Sequence, residues 1–188
     1  MDMYMVDMAV PNEGWSDESK LWFNKLNELT KSGEWKKMKS FVHGKYSKAL
    51  FTRSVSVGHP GKFFEYAFFC NKEESMLRGV CQFGSRTEGP PSHAHGGAVA
   101  SIIDAASGVL CHYVSRVPRV TANMNINYRR PTPLCETILT EAHVDKTEGR
   151  KSFISCKLTS PDGKTIYAEG TVLFIQIDVS NIPQLNQE

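Results

Sequence analysis

His95, Gly96 and Gly97, followed by an apolar run that carries one charge, Asp104, are the residues whose types and spacing could do chemistry. A glycine pair lets another group come close to the backbone. A helix that starts there leaves first-turn N–H groups without intrahelical partners at the positive end of its dipole. Such an N-terminus is a preformed anion site. A Gly96 N–H aimed at a carbonyl oxygen that becomes negative would lower a barrier by about 3–4 kcal/mol, and Gly97 beside it is assigned to substrate binding. Asp104 is the lone carboxylate among Val99, Ile102, Ile103, Ala106 and Leu110. Burying it is costly, so it is either held by a specific partner or kept as a base or nucleophile. His95 has two open readings, a hydrogen bond to the same carbonyl or a cap on the loop. His93 invites a metal reading with His95, but no acid or cysteine accompanies the pair at ligand spacing, so neither metal nor cofactor is expected.

Asp104 stands eight residues past Gly96, about 12 Å along a helix axis. One chain can hardly bring both to a single carbonyl. Two copies with these helices antiparallel across a twofold axis would bring each Asp104 toward the other's Gly96, so the spacing predicts a homodimer with shared sites.

The element that must position these groups is a buried helix over 95–114, apolar on all sides and free of proline. Its small residues and limited length argue against a membrane span. Before it, Ser16 with Asp17 and Glu18 opens an amphipathic helix over 16–32, with Leu21, Trp22, Leu26 and Leu29 as its stripe and Gly33 as its stop. The lysine-rich segment 35–44 reads as a solvated face or short helix without a function. Strands follow at 51–57, 63–69 and 77–83, and a loop at 84–92 delivers the chain to His95. After the helix, 121–128 alternates as a half-buried strand, with Thr121, Asn123, Asn125 and Asn127 on the face away from the core. Strands at 137–144, 152–158 and 165–177 complete an antiparallel sheet wrapped round one helix, an α+β class. The division expected is an extension over 1–48, the main domain over 49–178 and a polar tail over 179–188.

At 188 residues, 40% hydrophobic and 22% charged, the chain builds one domain. A net charge of +2 with no basic stripe argues against nucleic acid. The five cysteines form no Cys-x-x-Cys pair and read as buried thiols in a reducing compartment. Residues 1–10 carry no secretory or transit pattern, and a cytoplasmic or mitochondrial protein without a transmembrane segment is expected.

The stretches HGGAVASIIDAASG at 95–108, TANMNINYRRPTPL at 121–134 and DKTEGRKSFISC at 145–156 resemble the hotdog-fold acyl-CoA thioesterases, most closely the branch of thioesterase superfamily members 4 and 5. VPN at 10–12, LFTRS at 50–54, FEY at 64–66 and EGPP at 88–91 extend the resemblance over most of the chain. It implies a hotdog fold, dimers or higher oligomers with interfacial sites, and metal-free hydrolysis of medium- to long-chain fatty acyl-CoA to fatty acid and coenzyme A. By position, Asp104 matches the family's acid or base, Gly96 its backbone donor and Thr121 a hydroxyl that helps hold water. Asn127, Arg129, Arg150 and Lys151 match substrate-binding positions. Arginine forks and a lysine charge at strand ends suit phosphates on their own terms, and Arg130 is left open. The sequence departs from the pattern at Gly89, where some relatives carry asparagine, and at 115–119. The rival readings are a protein-interaction regulator that kept the fold, with a kinase partner implied by resemblance alone and 1–44 as its surface, and a hotdog dehydratase or acyl-CoA binder.

Overall fold

The computed structural model describes residues 6–42 and 50–178. Seven strands form one antiparallel sheet, and one long helix lies in its curve. The helix is α3, Gly96–Ser115, and it packs Val99, Ile102, Ile103, Ala106 and Leu110 against the sheet. It is long and apolar enough by composition to cross a membrane. It is held instead by the sheet, whose inward side chains Phe64, Tyr66, Phe68, Ile138, Ile154 and Val172 bury the same face. The strands are β1 (Trp35–Lys37), β2 (Phe64–Asn71), β3 (Met76–Phe83), β4 (Arg119–Tyr128), β5 (Ile138–Glu148), β6 (Lys151–Thr159) and β7 (Ile166–Gln176), ordered β1-β2-β3-β5-β6-β7-β4. Among the described residues β4 is therefore an edge, ten residues long, with β7 as its one partner in the sheet.

The N-terminal part belongs to the same body. Helix α1, Asp17–Glu28, starts where the Ser16 side chain accepts from the Ser19 N–H, and the chain leaves the following turn through Gly33 at φ 82°. It buries Ser19, Phe23 and Leu26, while Leu21 of the expected stripe is exposed. Trp15, Phe23, Leu26 and Trp35 cover the outer side of Ala67, Phe69, Met76 and Val80. β2 is consequently buried on both faces. Glu65, nearly inaccessible, accepts from Trp15 Nε1 at 2.9 Å, Asn12 Nδ2 at 3.0 Å and the Gly61 N–H at 2.8 Å, which fixes the extension to the sheet.

Two local expectations are corrected. The segment 35–44 is neither a solvated face nor a helix at its start: Trp35 turns into the core and 35–37 pairs with β2, because one large apolar anchor suffices when an unpaired edge is available. The strand expected at 51–57 is instead one helical turn, α2 (Phe51–Ser54). Its alternation would bury Phe51, which is 61% exposed, whereas Thr52, Arg53 and Ser56 are buried at helical spacing. Thr52 Oγ1 meets Tyr66 Oη at 2.8 Å, and Arg53 donates from Nη2 to the Tyr66 carbonyl at 2.8 Å, so side-chain partners on β2 override the pattern. Of the cysteines, Cys70, Cys81, Cys111 and Cys156 are buried, but Cys135 sits exposed in a loop at φ 59°. The boundary drawn at 48/49 and the tail at 179–188 lie outside the described residues.

Candidate active site

The N-terminus of α3 separates the roles of its two glycines. His95 is the N-cap, and its Nδ1 accepts the Gly97 N–H at 2.9 Å. An accepting Nδ1 puts the proton of the neutral ring on Nε2. Of the two readings of His95, the structure shows the cap, made by Nδ1, and leaves the Nε2–H able to donate to a carbonyl. The N–H of Gly97, a residue assigned to substrate binding, is taken up by this bond. The Ala98 N–H returns to the His95 carbonyl at 2.8 Å, while the Gly96 N–H has no partner among the described residues. Gly96 is thus the open donor of this turn. Tyr128, which the sequence reading passed over, donates from its hydroxyl to the Gly96 carbonyl at 3.0 Å and lays its half-exposed ring over the helix start. The signal was present: Met124, Ile126 and Tyr128 continue one alternation.

Two turns along, Asp104 is half-buried, not sealed in the core, and Thr121 Oγ1 donates to its Oδ1 at 2.7 Å. The expectation that Thr121 shares a face with Asn123, Asn125 and Asn127 fails for a definite reason. The β4–β7 register slips between Thr121 and Asn123, and this bulge at Ala122 turns Thr121 toward α3. Asp104 Oδ2 remains free of protein donors among the described residues.

Asp104 and Thr121 also line an apolar cavity of about 590 Å³, within the range of small-molecule sites. Its walls are the α3 face of Asp104, Ala105, Gly108 and Val109, the strand residues Phe68 and Phe174, and the N-terminal segment Met38 to Phe41. The sequence reading missed this last wall because nothing in a lysine-rich stretch marks it. Among the described residues, no three His, Cys, Asp or Glu side chains group to hold a metal ion.

The other assigned ligands fall at two ends of β4. Arg150 and Lys151 lie at the end where Arg119 pairs with Gln176, and Arg119 donates to the Arg150 carbonyl at 2.7 Å. Arg150 donates through Nε and Nη2 to the Gln176 carbonyl, and Lys151 is exposed. Asn127 and Arg129 lie at the opposite end, with Gly96 and Tyr128. Asn127 pairs with Glu169 and lines an outer-face cavity of about 360 Å³ with Glu141, His143 and Lys157, so it does not face Asp104 in its own chain. Arg129 Nε and Nη2 both donate to Glu169 Oε1, at 2.8 and 2.6 Å. This pair is exposed and exchangeable. One chain thus presents two separate clusters, a carboxylate with a hydroxyl beside an apolar cavity, and a helix-terminal N–H.

The carboxylate and the N–H suit acyl transfer, and the comparisons fix the family. The thioesterase superfamily model matches residues 92–167. Acyl-coenzyme A thioesterase THEM4 of Mus musculus is 37% identical over 194 residues, which cover 92% of this chain and 82% of that protein. The chain belongs to the thioesterase superfamily. Acyl-coenzyme A thioesterase THEM5 of Homo sapiens is 29% identical over 193 residues, 92% of this chain and 76% of that one. The crystal structure of zebra fish thioesterase superfamily member 2, 20% identical, matches with a TM-score of 0.54 over 69% of this chain and 100% of that chain. The sheet curled round α3 is the hotdog fold that the resemblance implied, and this member of the superfamily is a thioester hydrolase.

Proposed function

We propose that the protein is an acyl-CoA thioesterase acting on medium- to long-chain substrates at sites shared between the two subunits of a homodimer. The observation that carries the shared site is the placement of Gly96 and Asp104 at opposite ends of one face of β4, about 12 Å apart along α3. β4 is an edge ten residues long with Val120 and Tyr128 exposed at 45% and 55%, and an open edge of that length invites pairing. Antiparallel pairing of two β4 edges about a twofold axis sets Asp104 and Thr121 of one chain against the partner subunit's Gly96. It also brings Arg150 and Lys151 toward the partner's Asn127 and the partner's Arg129, so both groups of assigned substrate ligands meet at one substrate.

In that arrangement the thioester carbonyl sits at the Gly96 N–H, and the developing oxyanion meets a donor and a helix dipole already in place. Asp104, oriented by Thr121, takes a proton from water as the water oxygen bonds to the carbonyl carbon. The tetrahedral intermediate expels the coenzyme A thiolate, which receives that proton. In the alternative route Asp104 attacks the carbonyl directly, the C–S bond breaks to release the coenzyme A thiolate, and water then opens the anhydride to the fatty acid and the Asp104 carboxylate, giving up its proton to the thiolate. Single turnover in labelled water separates them: label entering the Asp104 carboxylate marks the anhydride.

The apolar cavity beside Asp104 supports an acyl chain of several methylenes, and the relatives THEM4 and THEM5 are named acyl-coenzyme A thioesterases. Thiol release from acyl-CoA of graded length, by wild type and Asp104→Asn, tests the reading. Expected is turnover that rises from short to long chains in the wild type and is lost in the variant. Equal turnover by both would overturn it.

A further inference from the structure

Gly108 lies one turn beyond Asp104 on α3, and its position lines the same cavity. Glycine in a helix interior costs about 1 kcal/mol relative to alanine, so its presence here needs a reason. Backbone conformation is not the reason, since Gly108 is absent from the glycines at positive φ. Close packing is not the reason either. A Cβ on Gly108 would meet only the Phe174 ring, at 3.8 Å, which is ordinary van der Waals contact. What the missing side chain leaves is open space in the cavity floor beside Asp104.

Another wall of the cavity, the segment 38–41, is pinned. The Met38 N–H donates to the Phe68 carbonyl at 2.8 Å, and the Ser40 N–H donates to Asp7 Oδ1 at 2.9 Å. Ser40 Oγ accepts from Arg53 Nε at 2.8 Å. Arg53 itself is inaccessible to solvent and stacks its guanidinium 3.4 Å from the Tyr66 ring centre. A buried cation bonded to both Ser40 and the Tyr66 carbonyl ties this strap to β2, and Met38 and Phe41 of the strap line the cavity.

We propose that Gly108 and the strap 38–41 set acyl-chain length, the gap between them being the channel that the chain follows from the thioester. The proposal rests on the acyl-CoA reading and adds the residues that gauge its substrate. A side chain at 108 shortens the channel without disturbing the helix, and loss of the Met38 side chain widens it from the other wall.

The test compares wild type, Gly108→Ala, Gly108→Leu and Met38→Ala. Calorimetry measures binding of octyl- and hexadecyl-CoA thioethers, which cannot be hydrolysed, and kinetics give kcat and KM for octanoyl- and palmitoyl-CoA. Expected for Gly108→Leu is a hexadecyl-to-octyl affinity ratio lowered about tenfold or more, with the palmitoyl loss appearing in KM. Gly108→Ala shifts the ratio the same way by less and melts no lower than wild type, which keeps the test decisive if the leucine variant fails to fold. Met38→Ala moves the ratio in favour of the longer chain. A folded Gly108→Leu with an unchanged ratio overturns the gauge even if wild type hydrolyses acyl-CoA. A wild type that binds the thioethers in this Gly108-dependent way but releases no thiol upholds the gauge and overturns the hydrolysis.

Discussion

Mixing two inactive variants gives the sharpest test of the shared site. Gly96→Pro is suited to the backbone found here. His95 sits at φ −61°, ψ 139°, the extended region that a residue before proline must adopt. Gly96 occupies the first helical position, where proline is favoured, and its N–H has no partner to lose among the described residues. A Cβ there comes no closer than 3.5 Å to the Tyr128 ring. The variant should therefore fold and lack one donor, a loss of about 10²–10³ in kcat. Asp104→Asn keeps an acceptor for Thr121 Oγ1 and removes the base or nucleophile, so it too should fold and be nearly inactive. After unfolding and refolding of equal amounts together, about half the dimers are mixed. In each mixed dimer both lesions fall in one site and the other is intact. Thiol release from a long-chain acyl-CoA should recover to about a quarter of wild type. Native mass spectrometry verifies mixed dimers and circular dichroism verifies folding. Activity that stays at the level of the separate variants, with mixed dimers present, refutes the shared site and leaves Asp104 acting within its own chain.

Arg150→Ala should raise KM for acyl-CoA with little change in kcat, and the defect should shrink as ionic strength rises because the exposed charges are screened; equal loss on a thioester that lacks the nucleotide would refute the phosphate assignment. Burial pushes the thiols of Cys70, Cys81 and Cys156 up to about 12 and that of Cys111 upward, so an aromatic disulfide reagent at pH 8 should titrate Cys135 quickly and the other four only on unfolding. For Asp7, burial by itself raises the pKa, but Lys37 and the amides of Ser40 and Ala9 outweigh it and hold the carboxyl below its ordinary value. A depressed folded-state pKa adds stability that is present above the unfolded value and is lost as pH falls through the folded one. Asp7→Asn should therefore lower Tm at neutral pH, and its gap to wild type should close below about pH 4. A gap constant with pH would refute a role for the Asp7 charge in holding the strap.

The geometry of α3 was legible because it is local. A glycine pair ahead of an apolar helix with one carboxylate needs only helix geometry to yield an open donor, a charged group and the distance between them. The six main strands were legible for a similar reason, since their alternation records one buried face. Thr121 was misplaced by the same rule. A bulge adds a residue to one strand without leaving a mark in the alternation, and the hydrogen bond to Asp104 exists only because Ala122 is that residue.

What the sequence by itself determined is the central helix, the six main strands and the spacing of Gly96 from Asp104, because helix and strand periods and the cost of a lone carboxylate act over a few neighbouring residues. What only the tertiary structure decided is whatever depends on partners distant in the chain. Arg53 turns 51–54 into a helix by bonding to Tyr66, and Trp35 makes 35–37 a strand because β2 offers an edge. Gly108 and 38–41 line one cavity, and Arg53 and Asp7 tie Ser40 of that segment in place. Those contacts span tens of residues, and no local pattern encodes which distant side chain supplies the missing hydrogen bond.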